Sequence, residues 1–268
     1  MSSEGPGSPG DAPKLTALVL AGSREGRADP MAVAAGVAHK ALLPVAGVPM
    51  LLRVLQALRA SPEIGRIVVA AQGADDLLAS IAFVPDTIAR DAAGSPSRTV
   101  ALMLEEFGTP LLLTTADHAL LTPAMLSWFV SHCSGTADAV AALAGAETIL
   151  AAYPATTRTW LRFGDGRFSG CNLFMLRTDK AMNVVEFWRS LEHKRKHPLS
   201  MAWLVGPVAL LAYMSRLVTL GIMVRLLGRR TGTVLGVVEM PFAEAAIDVD
   251  SPGDLLLVEA ILGTVSTG

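Results

Sequence analysis

An α/β fold built on a doubly wound sheet is what this sequence predicts, on three observations. Short apolar runs of strand length recur along the first half of the chain, and stretches with helical spacing separate them. Hydrophobic residues make up 51% of the chain against 17% charged, so there is enough apolar material to cover a sheet on both faces. Strands buried on both faces read as continuous apolar runs, and alternation with helices points to parallel pairing.

The elements follow in order. The first thirteen residues, MSSEGPGSPGDAP, lack the basic start and apolar stretch of a secretory signal and read as a flexible leader to a single domain over 14–264. Strands are expected at 16–22 (TALVLAG), 66–72 (RIVVAAQ), 110–117 (PLLLTTAD) and 137–145 (ADAVAALAG). Helices are expected at 49–61, 97–108 and 122–135, where apolar residues recur at helical spacing. After Leu150 two strand-like segments, TWLRF and RFSGCNLFMLRT, flank the turn GDG at 164–166. A helical, partly apolar insertion is expected over about 180–230, broken by Pro198 and Pro207. The remainder reads as strand up to Val249, then as a helix capped by Ser251 with Pro252 at its first position.

Composition excludes several function classes. A net charge of −2 argues against a general nucleic-acid binder. Two cysteines, Cys133 and Cys171, without a CxxC pair indicate neither a disulfide framework nor a cysteine zinc site, and a reducing cytoplasm is the expected home. The five histidines show no metal-ligand spacing, and His118, beside Asp117, is the one placed to matter. Within 201–230 the longest uncharged run, 201–215, is too short to span a bilayer, so a buried or interfacial helix is expected. The basic run EHKRKHP at 192–198 reads either as a solvated helix end or, through Lys194, Arg195 and Lys196, as a contact for an acceptor phosphate or anionic lipid. Peripheral membrane contact through 190–228, or homodimerisation, follows from the same region.

The loop LVLAGSREGR, at 18–27, matches neither the GxxxxGK[ST] loop nor the GxGxxG fingerprint, and alone reads as a triphosphate loop or as a turn. Asp117 closes an apolar strand, where a carboxylate is costly unless a cation meets it; the alternative is a turn cap. Asp248 and Asp250, at i and i+2, face the same side if the segment is a strand and can converge on one ion. Asp250 reads equally as a neighbour of the helix cap, and Asp254 as a first-turn partner of the helix dipole.

Together, LVLAGSREGR, HKALLPVAGVPML (39–51), LLLTTADHALLTP (111–123) and AIDVDSPGDLL (246–256) resemble the signature of the nucleotidyltransferase superfamily. That superfamily includes molybdenum-cofactor guanylyltransferases, sugar-phosphate nucleotidylyltransferases and cytidylyltransferases. The resemblance implies a Rossmann-like mixed sheet of the nucleotide-diphospho-sugar transferase type. It further implies an NTP, CTP or GTP being favoured, whose triphosphate lies on the loop Leu20, Ala21, Gly22, Ser23 and Arg24, with Lys40 neutralising charge at the α-phosphate. Asp117, Asp248 and Asp250 would hold Mg2+. Gly94, Ser95 and Ser97 would approach the base and ribose or cap a helix; Gln72 would contact the base or end its strand. Asn172 would face a phosphorylated acceptor or simply sit in a strand turn. The activity implied is transfer of a nucleotide to a sugar, polyol or cofactor phosphate. Molybdopterin or cobinamide-phosphate guanylyl transfer, glycosyl transfer, and a noncatalytic nucleotide-binding module are the alternatives.

Overall fold

A computed structural model describes residues 14–22, 29–82, 84–194 and 206–265. Strand β1 (Leu15–Leu20) leads through the short helix α1 (Pro30–Ala34) to a small hairpin, β2 (Pro44–Val45) and β3 (Val48–Pro49). The chain continues through α2 (Met50–Arg59), β4 (Ile64–Ala71), α3 (Ala74–Ala79), β5 (Thr87–Asp91), α4 (Pro96–Phe107), β6 (Leu111–Thr115) and α5 (Pro123–His132). Then come β7 (Ala139–Gly145), α6 (Ala146–Ala152), β8 (Leu161–Phe163), β9 (Gly166–Leu176) and α7 (Ala181–Lys194). After the undescribed stretch follow α8 (Pro207–Ser215), α9 (Leu220–Thr231), β10 (Leu235–Glu239) and α10 (Pro252–Val265).

The main sheet runs β10-β7-β9-β6-β1-β4-β5, with β8 on β9. Its pairs are parallel except for those of β9, which enters antiparallel between β6 and β7 and carries β8 antiparallel on it. Alternate residues of each central strand serve opposite faces. Ala17 and Val19 join the core under α2 and α5, whereas Leu18 joins the core under α4 and α7. This two-sided burial is why the strands are unbroken apolar runs. The fold is thus the mixed α/β architecture expected, with β1 flanked by β4 and β6 at the switch in strand order where such sheets bind ligands.

Local chemistry sets the helix starts. Ser95 and Thr122 accept from the backbone N–H groups of Arg98 and Met125, and Pro96 and Pro123 follow them in the first turns of α4 and α5. In α2 the buried residues Leu51, Val54, Leu55 and Leu58 form one stripe on the sheet.

Two expectations change. The C-terminal segment is strand only over β10; a 3-10 turn at 243–246 follows, and Asp248 and Asp250 lie in irregular chain. The physical reason is that the chain leaves the sheet at its rim and is held instead by a third core, in which Ile247, Val249 and Val258 meet Leu43, Val45 and Met50. Within the stretch expected as an insertion, α7 is no appendage: Ala181 and Val185 are part of the core on α4. Among the described residues no helix is long and apolar enough to cross a membrane.

Candidate active site

The site is built on the carboxyl rim of the parallel strands. Beyond β1, the Ala21 N–H donates to Ala70 O at 2.9 Å, carrying the parallel ladder one step past the strand before the chain turns at exposed Gly22. A Cβ at Gly22 would lie 3.4 Å from Ala92 Cβ and 3.6 Å from Gln72 Oε1. Gln72, just past β4, is therefore beside the start of the glycine loop. Leu20, Ala21, Gly22 and Gln72 come together as the sequence suggests. Ser23 and Arg24 lie outside the described residues.

Lys40 opens a single 3-10 turn capped by His39, whose Nδ1 accepts from Ala41 N at 3.1 Å. The hairpin after it is braced by Arg53, which donates twice to Val45 O, at 3.0 and 2.7 Å. The third core packs this turn against the C-terminal segment, and Val249 N donates to Asp117 O at 3.1 Å. Three distant pieces of chain thereby meet at one ammonium. Lys40 Nζ donates to Asp117 Oδ2 at 3.2 Å and to Asp250 Oδ1 at 2.7 Å. The other Asp117 oxygen accepts from Thr115 Oγ1 at 2.6 Å, so both of its oxygens are held. Burial works to lower the Lys40 pKa, but the charges and hydrogen bonds of Asp117 and Asp250 outweigh it and hold the ammonium above its ordinary value.

Asp248 stands apart from that clasp. Arg158 Nη1 donates to its Oδ1 at 2.7 Å, and Asn172 Nδ2 donates to its Oδ2 at 3.0 Å. Arg158 Nη2 also pairs with Asp254, whose N–H bonds the Ser251 hydroxyl at 3.2 Å in the cap of α10. Asn172 reaches Asp248 through a bulge. The pairing of β9 with β7 slips between Ala141 and Leu143, and Asn172 adopts a φ of 46°. Such bulges re-aim a side chain. Burial first, then the charges of Asp250 and Asp117, push the Asp248 pKa up, while Arg158 pulls it down. Asp248 and Asp250 therefore share the rim but answer to different cations, unlike two residues on one face of a strand.

Arg158 is the residue that sequence reasoning missed. It sits in a loop with no motif around it, and only the fold brings it 90 and 96 residues along the chain to its carboxylates. Its side chain is only 7% exposed, so its ion pairs are well desolvated. Arg158→Met is expected to cost about 3 kcal/mol, because it strands two carboxylates. It should also lower turnover about 10–100-fold by releasing Asp248. Arg158→Lys restores the charge without the two-pronged hold and is expected to recover only part of both. Thermal unfolding and product formation check the two effects separately.

Other expected residues fall elsewhere. Ser97 is buried, and its hydroxyl donates to Glu192 Oε2 of α7 at 2.5 Å, so it fastens α4 to α7 and is not open to a ligand. Ser95 combines its cap with a partly exposed position next to exposed Gly94. His118 is fully buried against Thr114, and burial pushes its pKa down to about 4 despite Asp117, leaving it a neutral core group. Lys194 is the last residue of α7, while Arg195 and Lys196 lie outside the described residues.

The donor set suits a hard divalent cation. Among the described residues no three His, Cys, Asp or Glu side chains form a ready cage. Mg2+ seldom uses one, taking one or two carboxylates plus substrate phosphates and water. Asp117 and Asp250, gathered at one point with Asp248 near enough to feel both charges, supply that number and type.

This rim, which carries both a glycine turn and a lysine clasped by two aspartates, agrees with a family comparison. The model for the MobA-like NTP transferase domain matches residues 17–226. The chain belongs to that family. Its general type is accordingly a nucleotidyltransferase. The match includes Lys40 and Asp117, whereas Asp248 and Asp250 lie beyond its end. No curated protein matches the chain. Among solved structures, a hypothetical transferase from Thermus thermophilus is 28% identical with a TM-score of 0.78, over 90% of this chain and 99% of that one. A 4-diphosphocytidyl-2C-methyl-D-erythritol synthase from Anaerococcus prevotii is 10% identical with a TM-score of 0.58, over 93% of this chain and 96% of that one. A CMP:2-keto-3-deoxy-manno-octonic acid synthetase, solved with CTP, is 13% identical with a TM-score of 0.55, over 94% and 100%. These last two share the fold.

Proposed function

We propose that the chain transfers a nucleoside monophosphate from an NTP to a phosphorylated small molecule, forming an NDP-activated product and pyrophosphate. The observation that carries this reading is Lys40 held by Asp117 and Asp250 on the same carboxyl rim of the sheet as the Gly22 turn and Gln72. An oxygen of the acceptor phosphate attacks the α-phosphorus in line, and the bond to the bridging oxygen of pyrophosphate breaks. The nucleophile is already anionic, so no protein base is required. What remains is positioning and charge neutralisation.

Each residue then has a defined task. Gly22 leaves room for the triphosphate against the backbone, and Arg24 from the same loop adds a cation. Lys40 neutralises charge growing on the α-phosphate oxygens. Gln72, Gly94 and Ser95 border the nucleoside, with CTP or GTP the expected donors. Asn172 and Arg158, bound to Asp248, order the acceptor side, where Lys194, Arg195 and Lys196 are also candidate contacts. Asp117 and Asp250, with Asp248 alongside, would hold Mg2+, which supplies Lewis-acid stabilisation of the phosphate charge.

The test is pyrophosphate release with Mg2+, each of the four NTPs and a panel of sugar, polyol and pterin-type cofactor phosphates. Release that requires one NTP and one acceptor is expected. A pterin phosphate with GTP as the productive pair would select the guanylyltransferase reading. Tight NTP binding without release from any pair would overturn the proposal in favour of a nucleotide-binding module. Transfer from an NDP-sugar without pyrophosphate would overturn it in favour of glycosyl transfer.

A further inference from the structure

The described residues leave an apolar and cationic surface on the site's side of the molecule that the reaction does not use. Leu211 and Met214 of α8 are 66% and 68% exposed, and Leu217 just after it is 84% exposed. Ile222 in the first turn of α9 is exposed as well. Arg216 and Arg225 lie exposed among them, and no ion pair engages either among the described residues. Such clustered exposure of long apolar side chains marks a contact surface.

The hairpin β8–β9 fixes where this surface stands. Gly145, the last residue of β7, pairs with Phe168, so the turn at 163–166 reaches beyond the carboxyl rim. That turn holds the segment between α8 and α9. Gly164 N donates to Val218 O at 2.9 Å, Asp165 accepts from Leu220 N at 2.9 Å, and the rings of Phe163 and Tyr213 meet edge to face at 5.7 Å. A Cβ at Gly164 would lie 2.8 Å from Leu217 O, so the close approach needs glycine there. The exposed leucines are thus carried on the rim that bears Asn172 and the aspartates.

Charge decides what covers them. Residues 193–238 contain seven of the chain's 22 Lys and Arg and none of its 24 Asp and Glu. Asp165, the acid on the hairpin turn that holds this segment, is engaged by the Leu220 N–H. A second copy on a twofold axis would set this patch against itself and oppose arginine to arginine. An anionic lipid surface instead receives the apolar side chains in its acyl boundary and the arginines at its phosphates.

We propose that the face made by Leu211, Met214, Leu217 and Ile222, with Arg216 and Arg225, docks on an anionic membrane surface and turns the carboxyl rim toward it. The inference stands independently of the nucleotidyl-transfer reading, since its readout is binding and not turnover. The test is flotation of the full chain with phosphatidylcholine vesicles and with vesicles that also contain phosphatidylglycerol, at low and high salt. Binding to the anionic vesicles alone is expected, weakened by salt. A variant carrying Leu211→Asp, Met214→Asp and Leu217→Asp should lose about tenfold or more of the bound fraction. Its thermal unfolding should be unchanged, because all three side chains are exposed. Failure of the wild type to float, equal binding to both vesicles, or equal flotation of the folded variant would each overturn the proposal. So would a dimer in light scattering that the variant abolishes without any lipid binding, which would assign the face to a second copy.

Discussion

Asp117→Ala is expected to lower kcat/KM for the nucleotidyl transfer by about 10³-fold while leaving the fold intact. Asp117 meets Lys40 with one oxygen and Thr115 with the other, and its backbone carbonyl receives Val249 N. The substitution keeps that carbonyl, so the C-terminal segment stays docked. Lys40 retains Asp250 at 2.7 Å, and the Thr115 hydroxyl, partly exposed, can turn to water. The stability change should therefore stay at about 1 kcal/mol, within the range for a single hydrogen bond whose remaining partners keep other contacts. Pyrophosphate release and thermal unfolding measured on the same preparation separate the two effects. A folded variant that retained activity to within about tenfold would remove Asp117 from the machinery.

Lys40→Met should lose about 10²- to 10³-fold in kcat with little change in the unfolding temperature. Methionine approximates the apolar stem and keeps the packing of the turn, but it removes the charge proposed to neutralise the α-phosphate. Asp250 is two-thirds exposed, so water screens that arm of the clasp and its contribution to stability is below about 1 kcal/mol. Because the lysine pKa is raised in the fold, that contribution is fully present below the ordinary lysine value and is lost as pH rises through the folded value. Lys40→Arg keeps the charge on a planar fork and should recover part of the rate. A loss confined to KM for the NTP, with kcat intact, would make Lys40 a binding group only and overturn its assignment at the reacting phosphate.

Much of the frame was legible because its signals are local. Continuous apolar runs such as TALVLAG and PLLLTTAD mark strands buried on both faces, and Leu18 beside Ala17 and Val19 shows those two faces within three residues. Ser95 and Thr122 with their prolines mark helix starts within one turn. Lys40 and the acidic positions stood out through motif order. Other features were misread for reasons equally local. The run before Asp248 has strand composition, yet a strand needs a neighbour to bond, and the chain has left the sheet there. Ser97 reads from the sequence as a nucleoside-side or helix-capping hydroxyl, and only the packing of α7 on α4 commits it to Glu192.

By itself, then, the sequence determined the alternation of buried strands and capped helices, the family signature and the charge asymmetry of 193–238. Tertiary structure alone decided which cation meets which carboxylate. Lys40 joins Asp117 across 77 residues and Asp250 across 210, and Arg158 takes Asp248 and Asp254. Periodicity and caps act within a strand or a turn, so they are written where they act. Pairings over such distances exist only after burial of the whole chain has set the strand order and packed Val249 and Ile247 against Leu43 and Val45.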